Sequence, residues 1–331
     1  MSHASSFASE ISQSIARFVA LKEALGRKFS VERAVLKHLD AFLSATRADL
    51  DAENFAAWCR TREHLTSGVR RNWMRVVRNL CLYRRRTEPA CFVPDPSQFP
   101  PLHQPVRPHI FAEVEISRLL VAADRLQPGN RSPLHRENFR LALVLLYTTG
   151  MRRGELLRLA VGDYDPSERT LLVRESKFHK SRLLPLSCEG ASELETYLEV
   201  RRARRLPLHA DAPLLWNHYT NGGRAYTGVG FGQAVSGLLQ AVGIHTAAGR
   251  LPRVHDFRHT FAVHALLRWY REGEDVQAKL PLLSTYMGHV SIVSTAYYLP
   301  FVEQLAAPAS ELFAQRCGAI VSSDHANGGG S

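Results

Sequence analysis

Seven prolines fall between Pro89 and Pro108 (Pro89, Pro94, Pro96, Pro100, Pro101, Pro105 and Pro108). Each removes a backbone donor and fixes φ, so neither a helix nor a hydrogen-bonded ladder can be carried through this stretch. A chain of 331 residues interrupted there is expected to fold as two bodies joined by an extended connection. The expected division is a helical domain over residues 1–90, a linker over 91–110, a larger domain over 111–317 and a tail over 318–331. The Gly328–Ser331 end reads as a linker scar outside any functional reasoning. The length agrees with two domains at roughly 150 residues each. With 45% hydrophobic and 22% charged residues, there is enough apolar material for a core in each and general disorder is excluded.

Before the prolines the apolar residues recur at helical spacing: Ile11, Ile15, Phe18, Val19 and Leu25, then Val35, Leu36, Leu39 and Phe42 behind Ser30 as N-cap. A third helix is expected over Ala52–Arg60 with Asp51 as its cap, and a fourth over Ser67–Arg86. The fourth carries Arg70, Arg71, Arg75, Arg78, Arg84, Arg85 and Arg86 without an acidic residue. Such a run is commonly a solvated face, but acid-free arginine at this density suits a phosphate backbone. The net charge of +11 and pI near 9.7 point the same way, to a polyanion. Duplex DNA is the expected partner, with Arg70, Arg71, Arg75 and Arg78 as backbone contacts.

No run approaches the roughly 18 apolar residues of a membrane span, and Met1–Glu10 has no signal-sequence pattern, so a cytoplasmic, nucleoid-associated protein with no membrane partner is expected. The five cysteines are widely spaced and never form Cys-x-x-Cys, which argues against a disulfide framework or a zinc cluster. No phosphate-binding glycine loop, His-Glu-x-x-His motif or carboxylate cluster is present, so neither metal nor cofactor is expected. The glycines of Thr227–Gln233 read as a turn entering a helix.

The second half reads as helices over Ala112–Ala123, Glu137–Tyr147 and Arg153–Leu159, two strand-like runs (Leu171–Glu175 and Arg182–Leu186) forming a hairpin, and mainly helix thereafter through Leu312. The fold class expected is mainly α with a small β-hairpin or sheet. Four islands of charged and aromatic residues stand out. Thr148–Leu156 breaks a helix at Gly150 and sets Glu155 three residues after Arg152, which alone could be a surface ion pair. Arg174–Leu186 puts Lys177 and Lys180 in the hairpin connection, where a lysine is commonly solvated. Val254–Ala262 sets His255 and Arg258 near the start of an apolar helix, a good location for an anion. Met287–Leu299 holds His289 after a glycine and Tyr298 nine residues on.

Together, in order and spacing, the islands resemble the signature of the tyrosine recombinases, also called phage-type integrases. The resemblance spans about residues 112–304; the helical first part matches that family's core-binding domain in position and size only. It implies a mixed α+β catalytic domain in which Arg152 and Arg258 grip a phosphodiester, Glu155 buttresses Arg152, and Lys177 protonates the leaving oxygen. His255 gives acid/base support, His289 hydrogen-bonds the phosphate and Tyr298 is the nucleophile. Lys180 is the competing lysine; alignment through Arg182–Leu186 favours Lys177 and leaves Lys180 as a DNA contact. Tyr297 and Tyr298 point about 100° apart on a helix, so only one can face the arginines, and Tyr297 is expected to pack.

The chemistry fits those residue types. In-line displacement gathers negative charge on non-bridging oxygens, which two planar guanidinium groups can hold. A phenol with a reference pKa of about 10 needs a proton acceptor and a cationic field to attack near neutral pH. The resemblance further implies a homo-oligomer, a tetramer in synapsis around recombination sites, with or without companion recombinases. The short amphipathic stretch Ser310–Arg316, with Leu312 and Phe313 as its apolar residues, would then dock on a neighbouring protomer, the alternative being its own domain. The other readings are a type IB topoisomerase-like relaxing enzyme and a non-cleaving DNA-binding accessory protein of the same fold.

Overall fold

The computed structural model describes residues 7–101, 107–129, 132–174, 181–219, 222–289 and 291–302. The chain divides into two compact units, Met1–Arg107 and Pro108–Ser331.

The first unit is built on α1 (Ser12–Ala24), α2 (Ser30–Thr46), α3 (Ala52–Arg60) and α4 (Ser67–Arg84). Their apolar stripes close one core through Ile15, Phe18, Leu36, Leu39, Trp58, Val77 and Leu80. Asp51 caps α3 by accepting from the Asn54 amide at 2.7 Å, the stabilising use of a carboxylate at a helix start. Ser30 does not cap α2 as its residue type predicts. Phe29 takes the N-cap position at φ 45°, and Ser30 is the first helical residue. The apolar contact prevails here: Phe29 is buried and meets the Phe18 ring edge-on at 5.6 Å. The proline-rich stretch also differs from a free linker. Phe92, Val93 and Phe99 pack on the first unit's core and the Arg71 guanidinium donates to the Pro100 carbonyl at 2.7 Å. Among the described residues of this stretch the only helical element is one 3-10 turn, Pro96–Gln98, opened by a proline, while the aromatic residues are too apolar to leave in water.

The second unit runs α5 (Glu113–Asp124), α6 (His135–Thr149), α7 (Arg153–Leu156), β1 (Tyr164–Asp165), β2 (Thr170–Val173), β3 (Arg182–Pro185), α8 (Cys188–Ala203), β4 (Trp216–Tyr219), β5 (Gly222–Ala225), α9 (Gly228–Ala241), α10 (Asp256–Arg271), α11 (Val276–Met287) and α12 (Val293–Ala296). Strands β1, β2 and β3 form an antiparallel sheet in that order, with Leu171 opposite Leu184. Helix α6 is apolar on nearly every side (Phe139, Leu141, Ala142, Leu143, Leu145, Leu146), and it packs against α5, α8 and α10. A second core joins α10 and α11 through Val263, Leu266, Leu283 and Met287. These two cores meet the ends of α6, α10 and α11, where the polar islands lie.

Two elements depart from the sequence pattern. Helix α7 is a single turn, because the chain peels away to let the Leu159 carbonyl accept from the Leu214 amide at 2.7 Å. The pair β4–β5 forms a hairpin where helix was expected; buried Asn138 fixes it by donating to the Trp216 carbonyl at 2.7 Å. Lys177, Lys180, the Ser310–Arg316 stretch and the 318–331 tail lie outside the described residues. Among the described residues no helix is long and apolar enough to cross a membrane.

Candidate active site

Helix α6 ends at Gly150 in the left-handed conformation, φ 59°, where a Cβ would stand 2.4 Å from Phe261 Cδ1. Only glycine fits both demands. The chain then turns into α7 with Arg152 at the N-cap and Glu155 three residues on. The Arg152 amide donates to Glu155 Oε2 at 2.9 Å, its Nη1 donates to Oε1 at 2.8 Å, and its Nη2 donates to the Gly288 carbonyl at 3.0 Å. Glu155 is therefore no surface ion-pair partner; it is 3% exposed.

A residue absent from the expected set completes this cluster. Arg182, the first residue of β3, donates through Nη1 and Nη2 to the two Glu155 oxygens at 3.2 and 2.9 Å and through Nε to the Tyr286 carbonyl at 2.9 Å. Strand alternation carried the signal: Arg182 shares a face with buried Leu184, and an arginine on an inward face needs a carboxylate. Burial alone would raise the Glu155 pKa, but Arg182 and the Arg152 amide and guanidinium outweigh it and hold the carboxyl at about 2.

A carboxyl lowered from 4.5 to about 2 contributes on the order of 3 kcal/mol of stability, fully present above the unfolded value and lost as pH falls through the folded one. Glu155→Gln should accordingly lower the urea midpoint at pH 7, with the gap to the parent protein narrowing from pH 4.5 towards pH 2. An equal gap at both ends of that range would detach Glu155 from this linkage.

Helix α10 begins with His255 at its N-cap, and Arg258 follows in its first turn. Arg258 is 2% exposed; Nη1 donates to the Gly150 carbonyl and Nη2 to the Met287 carbonyl, each at 2.7 Å. Both carbonyls stand at helix C-terminal ends, where the backbone dipole is negative. Burial, with the like charge of Arg152 beside it, draws this guanidinium down to about 10, so it stays cationic at neutral pH. Among the described residues no carboxylate lies within ion-pair distance of it.

Gly288 ends α11 at φ 67°. His289 follows, with Nδ1 2.8 Å from the hydroxyl of fully buried Thr295, which orients the ring. Tyr298 is 3% exposed and its ring meets those of His289 at 6.4 Å and His259 at 5.5 Å. Burial raises the Tyr298 pKa, while Arg258 and Arg152 oppose the rise. Tyr297 is the more exposed member of the pair, at 41%, and packs only through one side of its ring, which meets Phe301 at 5.5 Å and His259 at 6.1 Å. It stands just past α12, whose single turn directs Tyr298 to the α10–α11 core and leaves Tyr297 at the surface.

His255 falls below its ordinary pKa through burial and then Arg258, and His289 is pushed to about 4 by burial and then the same two arginines. His259, one helical turn after His255 and also absent from the expected set, meets the His255 ring at 4.8 Å and is likewise lowered to about 4, by burial first. Its Nδ1 is buried without a partner. In all three imidazoles burial favours the neutral form, the form with a free ring nitrogen. The structure therefore brings Arg152, Glu155, His255, Arg258, His289 and Tyr298 together, while Lys177 lies outside the described residues.

The other expected contacts lie on α4 of the first unit. Arg75 bonds Asn72 at 2.8 Å, Arg71 is tied to Pro100, and the Nε atoms of Arg70 and Arg78 are buried without partners. Arg84 leaves the expected basic face: it is buried and ion-paired with Asp49 at 3.2 Å and Glu88 at 2.6 Å.

Residues 110–302 match the model of the phage integrase family. The chain is 30% identical over 290 residues to the integrase/recombinase-type protein y4rB of Sinorhizobium fredii (strain NBRC 101917 / NGR234), covering 87% of this chain and 91% of that one. It is 31% identical over 225 residues to the tyrosine recombinase XerD of Brucella suis biovar 1 (strain 1330), covering 66% of each. Among solved structures, the XerH site-specific recombinase in a post-cleavage complex with a palindromic difH substrate superposes with a TM-score of 0.61 at 19% identity, over 85% of this chain and 78% of that one. The Tn1549 transposon integrase in complex with transposon right-end DNA does so with 0.60 at 18% identity, over 87% and 93%.

Proposed function

The chain belongs to the phage integrase family, the tyrosine recombinases, and from that premise we propose that it cleaves and rejoins duplex DNA at specific sites through a covalent 3′-phosphotyrosine. The observation that carries this reading is the convergence of Arg152 and Arg258 on the carbonyls of Gly150, Met287 and Gly288, beside a buried tyrosine in contact with the His259 and His289 rings. Two fixed guanidinium groups hold a phosphodiester and stabilise the charge that develops as it is attacked. Tyr298 is the attacking hydroxyl, and an imidazole takes its proton as the bond to phosphorus forms. The expected roles of His255 in acid/base support, His289 on the phosphate and Lys177 at the leaving oxygen belong to the same proposal. Because transesterification keeps the phosphate bond energy in the phosphotyrosine, rejoining needs neither ATP nor metal. Partners are recombination sites on duplex DNA and further copies of the chain, four in synapsis, and the host is a mobile element.

The test is a denaturing gel of the protein incubated with DNA from the ends of its own element. A band in which protein stays attached to a 3′ end, formed equally in chelator, is expected; strict dependence on magnesium would overturn the metal-free step. Relaxation of plasmids by a solitary monomer would favour the topoisomerase reading, and binding without an adduct the accessory one.

DNA backbone binding by α4 is part of the same proposal. Neutralising Arg75 or Arg78 should lower the slope of log affinity against log salt by about 0.9 for each phosphate left without its cation. Arg84→Gln serves as the control: its charge is already engaged by Asp49 and Glu88, so it should cost stability and leave the slope unchanged.

A further inference from the structure

We propose that Arg182 is a positioning residue that acts as the counter-charge to Glu155, so that the charges of both Arg152 and Arg258 remain available to a phosphodiester. The inference rests on the recombinase reading given above and extends it to a residue outside the four islands' expected set.

Glu155 anchors Arg152 from both sides, backbone and side chain. An ionised carboxylate in that place would by itself cancel most of the charge that Arg152 presents. Arg182 meets the same two oxygens, bidentate, and both side chains are largely withdrawn from water. With Arg182 in place, the Glu155 carboxylate faces two guanidinium groups, and the cluster with Arg258 keeps two positive charges; without Arg182 it keeps one.

The surroundings hold Arg182 in that location. Its Nε donates to the Tyr286 carbonyl, and the space its guanidinium fills is open because residue 288 is glycine: a Cβ there would stand 2.8 Å from Arg182 Nη1. The Gly288 carbonyl in turn accepts from Arg152. One small turn therefore accommodates the counter-charge on one side and fixes the working arginine on the other.

A clip that acts only by geometry and a counter-charge make opposite forecasts. A unit charge felt across roughly 7 Å at an effective dielectric of about 20 changes a reaction rate on the order of 50-fold. In single-turnover adduct formation at saturating protein, Arg182→Met should be slower by about that factor. Arg182→Lys, which restores the charge and loses the fork, should come within roughly 3-fold of the parent protein. The double variant Arg182→Met with Glu155→Gln removes the carboxylate charge along with its counter-charge, and should recover about 10-fold over Arg182→Met alone. A double variant no faster than Arg182→Met, or a lysine variant as slow as methionine, would overturn the proposal in favour of a purely geometric clip. Urea midpoints for each variant identify any that fails to fold; should Arg182→Met be one, the lysine variant alone decides. Absence of adduct from the parent protein would instead sink the recombinase reading, so the two failures are distinguishable.

Discussion

Tyr298→Phe is expected to abolish covalent attachment to DNA while changing site affinity by no more than about 2-fold, because the hydroxyl carries the chemistry and the cations carry the binding. The substitution removes one oxygen from a ring that is 3% exposed, stacked on His289 and met edge-on by His259, so the fold should be preserved. Tyr297→Phe, altering a ring that is 41% exposed, should keep its adduct. Measured side by side on a suicide substrate in which the cleaved strand cannot religate, the two variants test the register by a single residue. An adduct from Tyr298→Phe that disappears in Tyr297→Phe would shift the nucleophile by one position.

Arg258→Ala should slow single-turnover cleavage by roughly 100- to 1,000-fold, about 3–4 kcal/mol, the range found when a fixed donor to a developing oxyanion is removed. Lysine should recover little of this. The two Nη atoms of Arg258 are committed to the Gly150 and Met287 carbonyls in a fixed plane, and an ammonium cannot span both acceptors while also facing a phosphate. The contrast with Arg182, where lysine is expected to serve, separates a charge that must be aimed from one that need only be present. Recovery to near-parental rates by Arg258→Lys would show that charge alone matters at this position too.

Local rules made parts of this molecule legible. Asp51 before an apolar-periodic run announced the start of α3; the glycines of Thr227–Gln233, read as a turn entering a helix, instead form the first turns of α9, whose Gly230 amide donates to the Thr227 hydroxyl at 3.1 Å. What was not legible depended on partners distant in sequence. The strand of Trp216 shows no alternation of apolar and polar residues, and its hairpin is tied to Asn138, 78 residues earlier. Phe29 displaced Ser30 from the cap of α2 for the sake of a contact with Phe18. In the candidate site, the residues read from the sequence lie in motifs of fixed spacing, whereas Arg182 meets Glu155 from 27 residues away. His259 carried a weaker sign, an i,i+4 relation to His255 that places both rings on one face of α10. Neither has a motif of its own, and each is defined by what it touches.

The placement of Arg258 has a consequence for the protein before DNA arrives. The side chain has been taken out of water and given carbonyl oxygens, which carry partial charge where a carboxylate would carry a full one. Its field is therefore left under-compensated at fixed coordinates, and the rotamer entropy that a free arginine surrenders on binding has already been lost in folding. On the recombinase reading, an anion arriving there would relieve the resting protein and add to its stability. The relief is concentrated on one phosphate of the many that a duplex offers, and the selectivity with which such a protein chooses the bond to be broken can thus originate in how uncomfortable that one location is on its own.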